Sequence, residues 1–266
     1  MDLQMQKDRL FQGLTVLSVL VLTSCIIIIL AGLILYPPFD ALLADLQSEE
    51  IRYAILLSLT TGLISTLLCM LVALPVSYSL SRNRFHGIRM VTVLLNLPIA
   101  MPPLVAGLAL LIFFGNTEVS NLLSGFGIEV IFTPLGIIVA QFFVNVPSMI
   151  RIFRSSFSSI NPRYEYVART LGCSDAGAFW HVLLPMARRG IIAGTIITWS
   201  KAMGEFGAVL MLAGATRMKT ETLPIALFLN MSTGDLELAI AAGTILMIIA
   251  GLTLYFFEFL DPDGCP

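Results

Sequence analysis

Residues 14–36 read LTVLSVLVLTSCIIIILAGLILY, and no charged side chain interrupts them. At about 1.5 Å per residue, a helical run of this length crosses a hydrocarbon core of about 30 Å. A helix that is apolar on every side belongs in lipid or in a large core, not at the surface of a small soluble protein. Five further stretches behave similarly: 53–80, 88–114, 131–153, 190–213 and 238–260. The first run ends at Pro37-Pro38, the third is interrupted by NLPIAMPP at 96–103, and the fourth contains Pro147. Only 12% of the 266 residues are charged and 57% are hydrophobic, too little charge to clothe a soluble domain of this size. Short alternating segments of the barrel kind do not recur. The sequence predicts an all-α polytopic membrane protein, six transmembrane helices forming a single domain over 1–266. The first run has no small-residue cleavage pattern after it and reads as a retained span.

Lysine and arginine set the orientation. Lys7, Arg9, Arg82, Arg84, Arg89, Arg151, Arg154, Arg163, Arg169, Arg188 and Arg189 fall on one side, and only Arg52, Arg217 and Lys219 on the other. Both termini are therefore expected in the cytoplasm of a cell-membrane protein. The outer segments carry Asp40, Asp45, Glu49, Glu50, Glu118, Glu129, Glu221, Asp235 and Glu237, an acidic rim that does not attract anions.

Several chemistries find no support. A phosphate-cradling loop needs a glycine-rich turn before Gly-Lys-Ser/Thr, and the Lys219-Thr220 pair follows Met218 on the outer side. The chain itself is thus not expected to bind ATP or to be an enzyme. His86 and His181 are far apart, and Cys25, Cys69, Cys173 and Cys265 have no metal-ligand spacing and read as small buried hydrophobes. No catalytic residue, bound metal or nucleic-acid surface is expected.

One cytoplasmic segment, EYVARTLGCSDAGAFWHVLLP at 165–185, is too polar to cross a bilayer yet well ordered in its signals. Asn161-Pro162 makes a helix start. Tyr164, Ala168 and Leu171 share a face at i, i+4, i+7, and Glu165 and Arg169 are placed for an i, i+4 pair. Gly172 is fit to end this helix in the left-handed region, and Ser174 or Asp175 to cap a second short helix reaching Leu184. Such a surface suits docking to a partner protein, or resting on lipid headgroups through its arginines.

Here the chain resembles the permeases of binding-protein-dependent ABC importers. Their cytoplasmic signature, Glu-Ala-Ala, three residues, Gly, nine residues, Ile-x-Leu-Pro, aligns with Tyr166-Val167-Ala168, Gly172 and Val182-Leu183-Leu184-Pro185. The signature glutamate falls on Tyr166, with Glu165 one place earlier. WSKAMGEFGAVLMLAG at 199–214 is similar to the molybdate, tungstate and sulfate group. LPIAMPPLVAGLALL at 97–111 and TETLPIALFLNMSTGDLELA at 220–239 are similar to its molybdate/tungstate members. The resemblance implies a homodimer in the lipid bilayer with two cytoplasmic ATPase subunits that bind ATP-Mg, and an external substrate-binding protein. It also implies a cytoplasmic coupling helix between spans four and five, with Glu165, Ala168, Arg169, Gly172 and Ser174 at the ATPase contact. The substrate would be molybdate or tungstate, with sulfate or thiosulfate as the alternative.

Lys201 and Glu205 lie four apart in the fifth run. Charges at this depth cost at least ~2.5 kcal/mol each by insertion scales and need a partner or a cavity. They can pair with each other, line a gate or pathway, or couple transport to protons; the last would suit an ion-coupled secondary carrier. Gly190 and Gly194, then Gly204, Gly207 and Ala208, form a small-residue surface for close helix contact, fixed or movable. The break at 96–103 frees backbone groups, so the third span is expected inside the bundle, with Met101 either packing or forming a soft constriction. The spans show no local cluster of donors suited to an oxyanion, which places selectivity in the external binding protein.

Overall fold

All six apolar runs become helices, but two of them are not single rods. The computed structural model describes residues 2–35, 46–83 and 86–260, and no strand occurs among them. Pro37-Pro38, Asp40, Asp45, Arg84 and Cys265 lie outside the described residues. The first span is α1 (Asp2–Leu35), the second α2 (Glu49–Arg82), the fourth α6 (Pro134–Ser159) and the sixth α13 (Leu236–Leu260). The third span is split into α3 (Ile88–Ala100) and α4 (Pro103–Gly115), which meet at 110°. Pro102 and Pro103 cannot donate the backbone bonds that would carry α3 through. A short helix, α5 (Thr117–Ser124), follows.

The expectation of one continuous fifth span is corrected. α10 (Arg188–Met203) stops at Gly204, and a separate α11 (Gly207–Ala213) follows after a three-residue break. The segment 214–237, expected to lie between the fifth and sixth spans, contains α12 (Leu223–Thr233), whose Leu223, Ile225, Ala226 and Asn230 are buried. At eleven residues it is too short to span.

Helices α2 and α6 form the centre, and α2 shows why they pack. Between Ile51 and Leu80 at its two ends, its buried stripe is small or hydroxylic: Ala54, Ser58, Thr61, Gly62, Ser65, Thr66, Cys69, Ala73 and Ser77. The hydroxyls of Thr61, Ser65, Thr66 and Ser77 donate to carbonyls of their own helix, so none is left bare against its neighbour. Leu56, Leu63, Leu67 and Leu71 point outward. Without a hydrophobic drive between helices in lipid, small faces let backbones approach closely while large apolar side chains meet the tails. The glycines of α10 work the same way. A Cβ on Gly194 would lie 2.9 Å from the Phe153 ring, and one on Gly190 would collide with Ser156.

Two expectations change with packing. No residue of α3 is buried, so the first half of the third span lies at the edge of the single chain's bundle; only α4 is set in, through Ala106, Gly107 and Leu110. Of the described cysteines only Cys69 is buried, while Cys25 and Cys173 are exposed.

Candidate functional site

The polar segment after α6 folds as its local signals dictate and is anchored differently. Helix α7 (Arg163–Thr170) begins where the Asn161 Oδ1 accepts from the Arg163 N–H at 3.0 Å. It ends in a paired closure: Gly172 N–H donates to Arg169 O and Cys173 N–H to Ala168 O, both at 3.0 Å. Gly172 takes a φ of +98°, a region that β-carbon-bearing residues avoid. Ser174 Oγ then accepts from Gly177 N–H at 3.1 Å and starts α8 (Asp175–Ala178). A π turn at Phe179–Leu183 and α9 (Leu184–Met186) lead through Ala187 into α10, which leaves at 74°.

The expected Glu165–Arg169 pair is not formed. Glu165 is buried and accepts from Arg82 Nε at 2.7 Å and from the Tyr78 hydroxyl at 3.1 Å, both on α2. Arg82 also donates to the Ile160 carbonyl at 3.2 Å. Arg169 pairs with Asp175 across the turn at 2.9 Å, its guanidinium 5.6 Å from the Tyr166 ring. The long-range partners win because they bury the carboxylate between two donors, where a charge-assisted bond is strongest. The expected shared face is corrected as well: Ala168 is buried, but Tyr164 and Leu171 are exposed, with Tyr166, Val167 and Trp180. The segment thus holds to the end of α2 through Glu165, Ala168 and the Phe179–Tyr78 edge contact at 4.9 Å, and turns an apolar, partly charged surface outward.

The second group of expected residues meets at the helix breaks. Lys201 and Glu205 do not pair. Helix α10 ends between them, Lys201 Nζ donates to Ser148 Oγ on α6 at 3.1 Å, and Glu205 Oε1 accepts from Ala208 N–H at 3.1 Å. Glu205 therefore caps α11, satisfying a free N–H and facing the positive end of the helix dipole. Gln141 Nε2 donates to the Ala202 carbonyl at 2.9 Å, closing the end of α10 from the side. Gly207 lies against the start of α4, where an added Cβ would come within 3.0 Å of Pro103 Cβ, and a Cβ on Gly107 would lie 2.7 Å from Ala208 Cα. The break after Met101 and the break at 204–206 are thus brought side by side, while Lys201 sits one turn away against α6.

Two groupings escaped the sequence. Helices α3 and α6 flank an open cleft of about 490 Å³ lined by Thr92, Asn96, Ile99, Ala100, Arg151 and Arg154. At the other end, Arg217 bridges Glu50 at 2.6 Å and the buried Asn230 at 2.9 Å, and Glu221 Oε2 accepts from Met218 N–H at 2.8 Å. Burial pushes the Glu221 carboxyl above its ordinary range; the Met218 N–H opposes this, Glu50 adds to it, and Arg217 opposes it.

The family of binding-protein-dependent transport system inner membrane components matches residues 73–263. A molybdenum transport system permease protein, ModB, of Mycobacterium bovis is 33% identical over 230 residues, covering 86% of each chain. A sulfate transport system permease protein, CysW, of Synechocystis is also 33% identical, over 225 residues, covering 84% of this chain and 80% of that one. Among solved structures, a chain of a bacterial alginate ABC transporter in complex with its periplasmic protein superposes with a TM-score of 0.73. That match is 18% identical and covers 96% of this chain and 95% of the other, which is a likeness of fold.

Proposed function

The chain belongs to the family of binding-protein-dependent transport system inner membrane components and is a permease subunit of an ABC importer; from that premise we propose that it moves molybdate or the similar tungstate. The observation that carries the substrate is the 33% identity to the molybdenum permease across most of both chains. The sulfate permeases stand at comparable distance, so sulfate is the second reading.

In this reading two copies of the chain form the pathway, with two ATPase subunits that bind ATP-Mg on the cytoplasmic face and a binding protein that delivers substrate outside. Both termini lie in the cytoplasm. The segment from α7 to α9 is the coupling element, with Glu165, Ala168, Arg169, Gly172 and Ser174 at or behind the ATPase contact. Its build supports the role: Glu165 ties it to α2, the turn at Gly172 is closed, and Tyr166, Val167 and Leu171 are left outward. A push on this element reaches α2 through Arg82 and α10 through the continuous backbone. The adjoining breaks form the gate, with Met101, Gly204, Glu205 and Gly207 on two spans and Lys201 beside them. Both are interruptions between helix ends, so they can re-form in a second arrangement.

Uptake of radioactive molybdate by vesicles holding this chain, its ATPase and its binding protein tests the reading. We expect uptake that requires ATP and all three components, with unlabelled molybdate or tungstate competing at least tenfold better than sulfate, a difference of about 1.4 kcal/mol. Sulfate competing best would move the assignment to the second reading. Uptake driven by a proton gradient without the ATPase would overturn the importer assignment.

A further inference from the structure

The open cleft between α3 and α6 has an unusual lining for a chain that spans a membrane. Arg151 and Arg154 stand three apart on one face of α6, and Thr92 and Asn96 four apart on α3. Both pairs lie at similar depth. Arg151 is eight residues before the end of α6 and Asn96 eight after the start of α3, so each is about 12 Å from that end. Arg154 Nη1 makes a long contact of 3.4 Å to the Thr92 hydroxyl, which leaves the rest of its fork unused. Arg151 has no ion pair or hydrogen bond with any described residue. One N–H of Asn96 Nδ2 is held by the Thr92 carbonyl at 2.6 Å, and the second is free to donate. No carboxylate lines the cavity. Ala100, the last residue of α3, lines it next to the break at Met101.

Two guanidiniums facing one space without an acid repel each other, and a charge inside a membrane calls for a partner. Guanidinium forks match oxygens arranged around a tetrahedral centre, with two parallel N–H bonds to one anion.

We propose that the cavity bounded by Arg151, Arg154 and Asn96 is a binding subsite for a tetrahedral oxyanion, which in the importer is the transported substrate on the cytoplasmic side of the gate. The substrate role rests on the importer reading above; the anion chemistry rests on the lining alone. The acidic outer rim and this basic inner cavity then give the pathway a direction. The anion leaves the binding protein past Met101 and Glu205, is held by the arginines, and passes to the cytosol. A phospholipid phosphate offers the same oxygens and is the other source of such a ligand.

The test uses the complete complex in vesicles of phosphatidylcholine alone and of phosphatidylcholine with one-third phosphatidylglycerol. In both lipids, R151Q/R154Q should lower molybdate uptake about tenfold, the loss of roughly one charge-assisted bond. ATP hydrolysis elicited by the loaded binding protein should stay within about twofold, and R151K/R154K should restore part of the uptake, since lysine keeps the charge and loses the fork. Unchanged uptake in R151Q/R154Q overturns the proposal, and so does a parallel loss of uptake and hydrolysis, which marks a structural role. A loss confined to the anionic vesicles assigns the cavity to lipid headgroups and overturns it as a substrate subsite. If the unaltered complex transports neither molybdate nor sulfate, the importer reading fails by itself. The cavity is then judged by equilibrium binding of radioactive molybdate to the purified complex, which R151Q/R154Q must abolish.

Discussion

The two ends of the bundle are each clasped by an arginine and a glutamate, and the clasps are built to opposite standards. At the end that the proposed topology places inside, the Arg82 and Glu165 side chains are 11% and 3% exposed, and Tyr78 and the Ile160 carbonyl complete the set. At the end it places outside, Arg217 and Glu50 are 38% and 35% exposed. Water screens the outer pair, so it contributes about 0–1 kcal/mol. The inner pair has given up its hydration, so removing one member strands the other. The difference matches what each end would do in an importer. A part that transmits force must not slip, whereas a mouth that opens to a binding protein must release at small cost.

The largest expected effect tests the inner clasp. Glu165→Ala leaves the Arg82 guanidinium buried without its carboxylate and should cost about 3 kcal/mol or more in unfolding of the detergent-solubilised protein. In vesicles, ATP hydrolysis should continue while uptake falls. A cost below about 1 kcal/mol, the range of an exposed pair, would erase the contrast between the two ends. A double-mutant cycle through Arg82→Gln sharpens the result by isolating the pair from Tyr78.

Next in size is the turn behind that clasp. Nothing lies within 4 Å of the place a Cβ would take at Gly172, so a side chain there meets no steric wall. The cost comes from the backbone alone, because φ is +98°. Gly172→Val should therefore lose about 1–2 kcal/mol and uncouple hydrolysis from uptake, while Gly172→Asn should recover most of both. Equal behaviour of Val, Asn and Gly would show that the turn does not transmit.

Much of this segment is legible in its own sequence, and the limits are physical. Gly172 and Ser174 can be placed because a left-handed closure and a hydroxyl cap are local events, settled within four residues. The partner of Glu165 cannot be, since Arg82 is 83 residues away and only burial makes it the better choice than Arg169. The fifth span departs from its pattern for a different reason. Averaged hydropathy over 190–213 conceals Gly204-Glu205-Phe206, although a carboxylate three residues before Ala208 is itself the mark of a new helix start. Helix α12 is hidden because an eleven-residue, mostly apolar stretch flanked by threonine and glycine falls short of a span. Arg151 and Arg154 read in sequence only as topology charges. Their i, i+3 spacing is visible there, but Thr92 and Asn96 come from another helix that the break swings into place.

The smallest effect belongs to the outer clasp and carries a pH signature. Burial and the nearby Glu50 hold the Glu221 carboxyl above its usual range, so the folded chain keeps that proton more tightly than the unfolded one. The stability this supplies is fully present below the ordinary carboxylate range, and it fades as pH rises through the raised value. Glu50→Gln loses an exposed ion pair but also removes one of the charges that oppose ionised Glu221. The two changes offset each other, so at pH 8 the variant should stay within about 0.5 kcal/mol of the parent, and added salt should narrow the gap. Arg217→Gln should cost more, because the buried Asn230 Oδ1 loses its donor. Glu221→Gln should be neutral near pH 4, stabilising at pH 8, and flatter between. Thermal unfolding across that range reads all three variants. A Glu50→Gln loss as large as that of Glu165→Ala would mean that the mouth is locked as firmly as the lever, and that opening needs a different hinge.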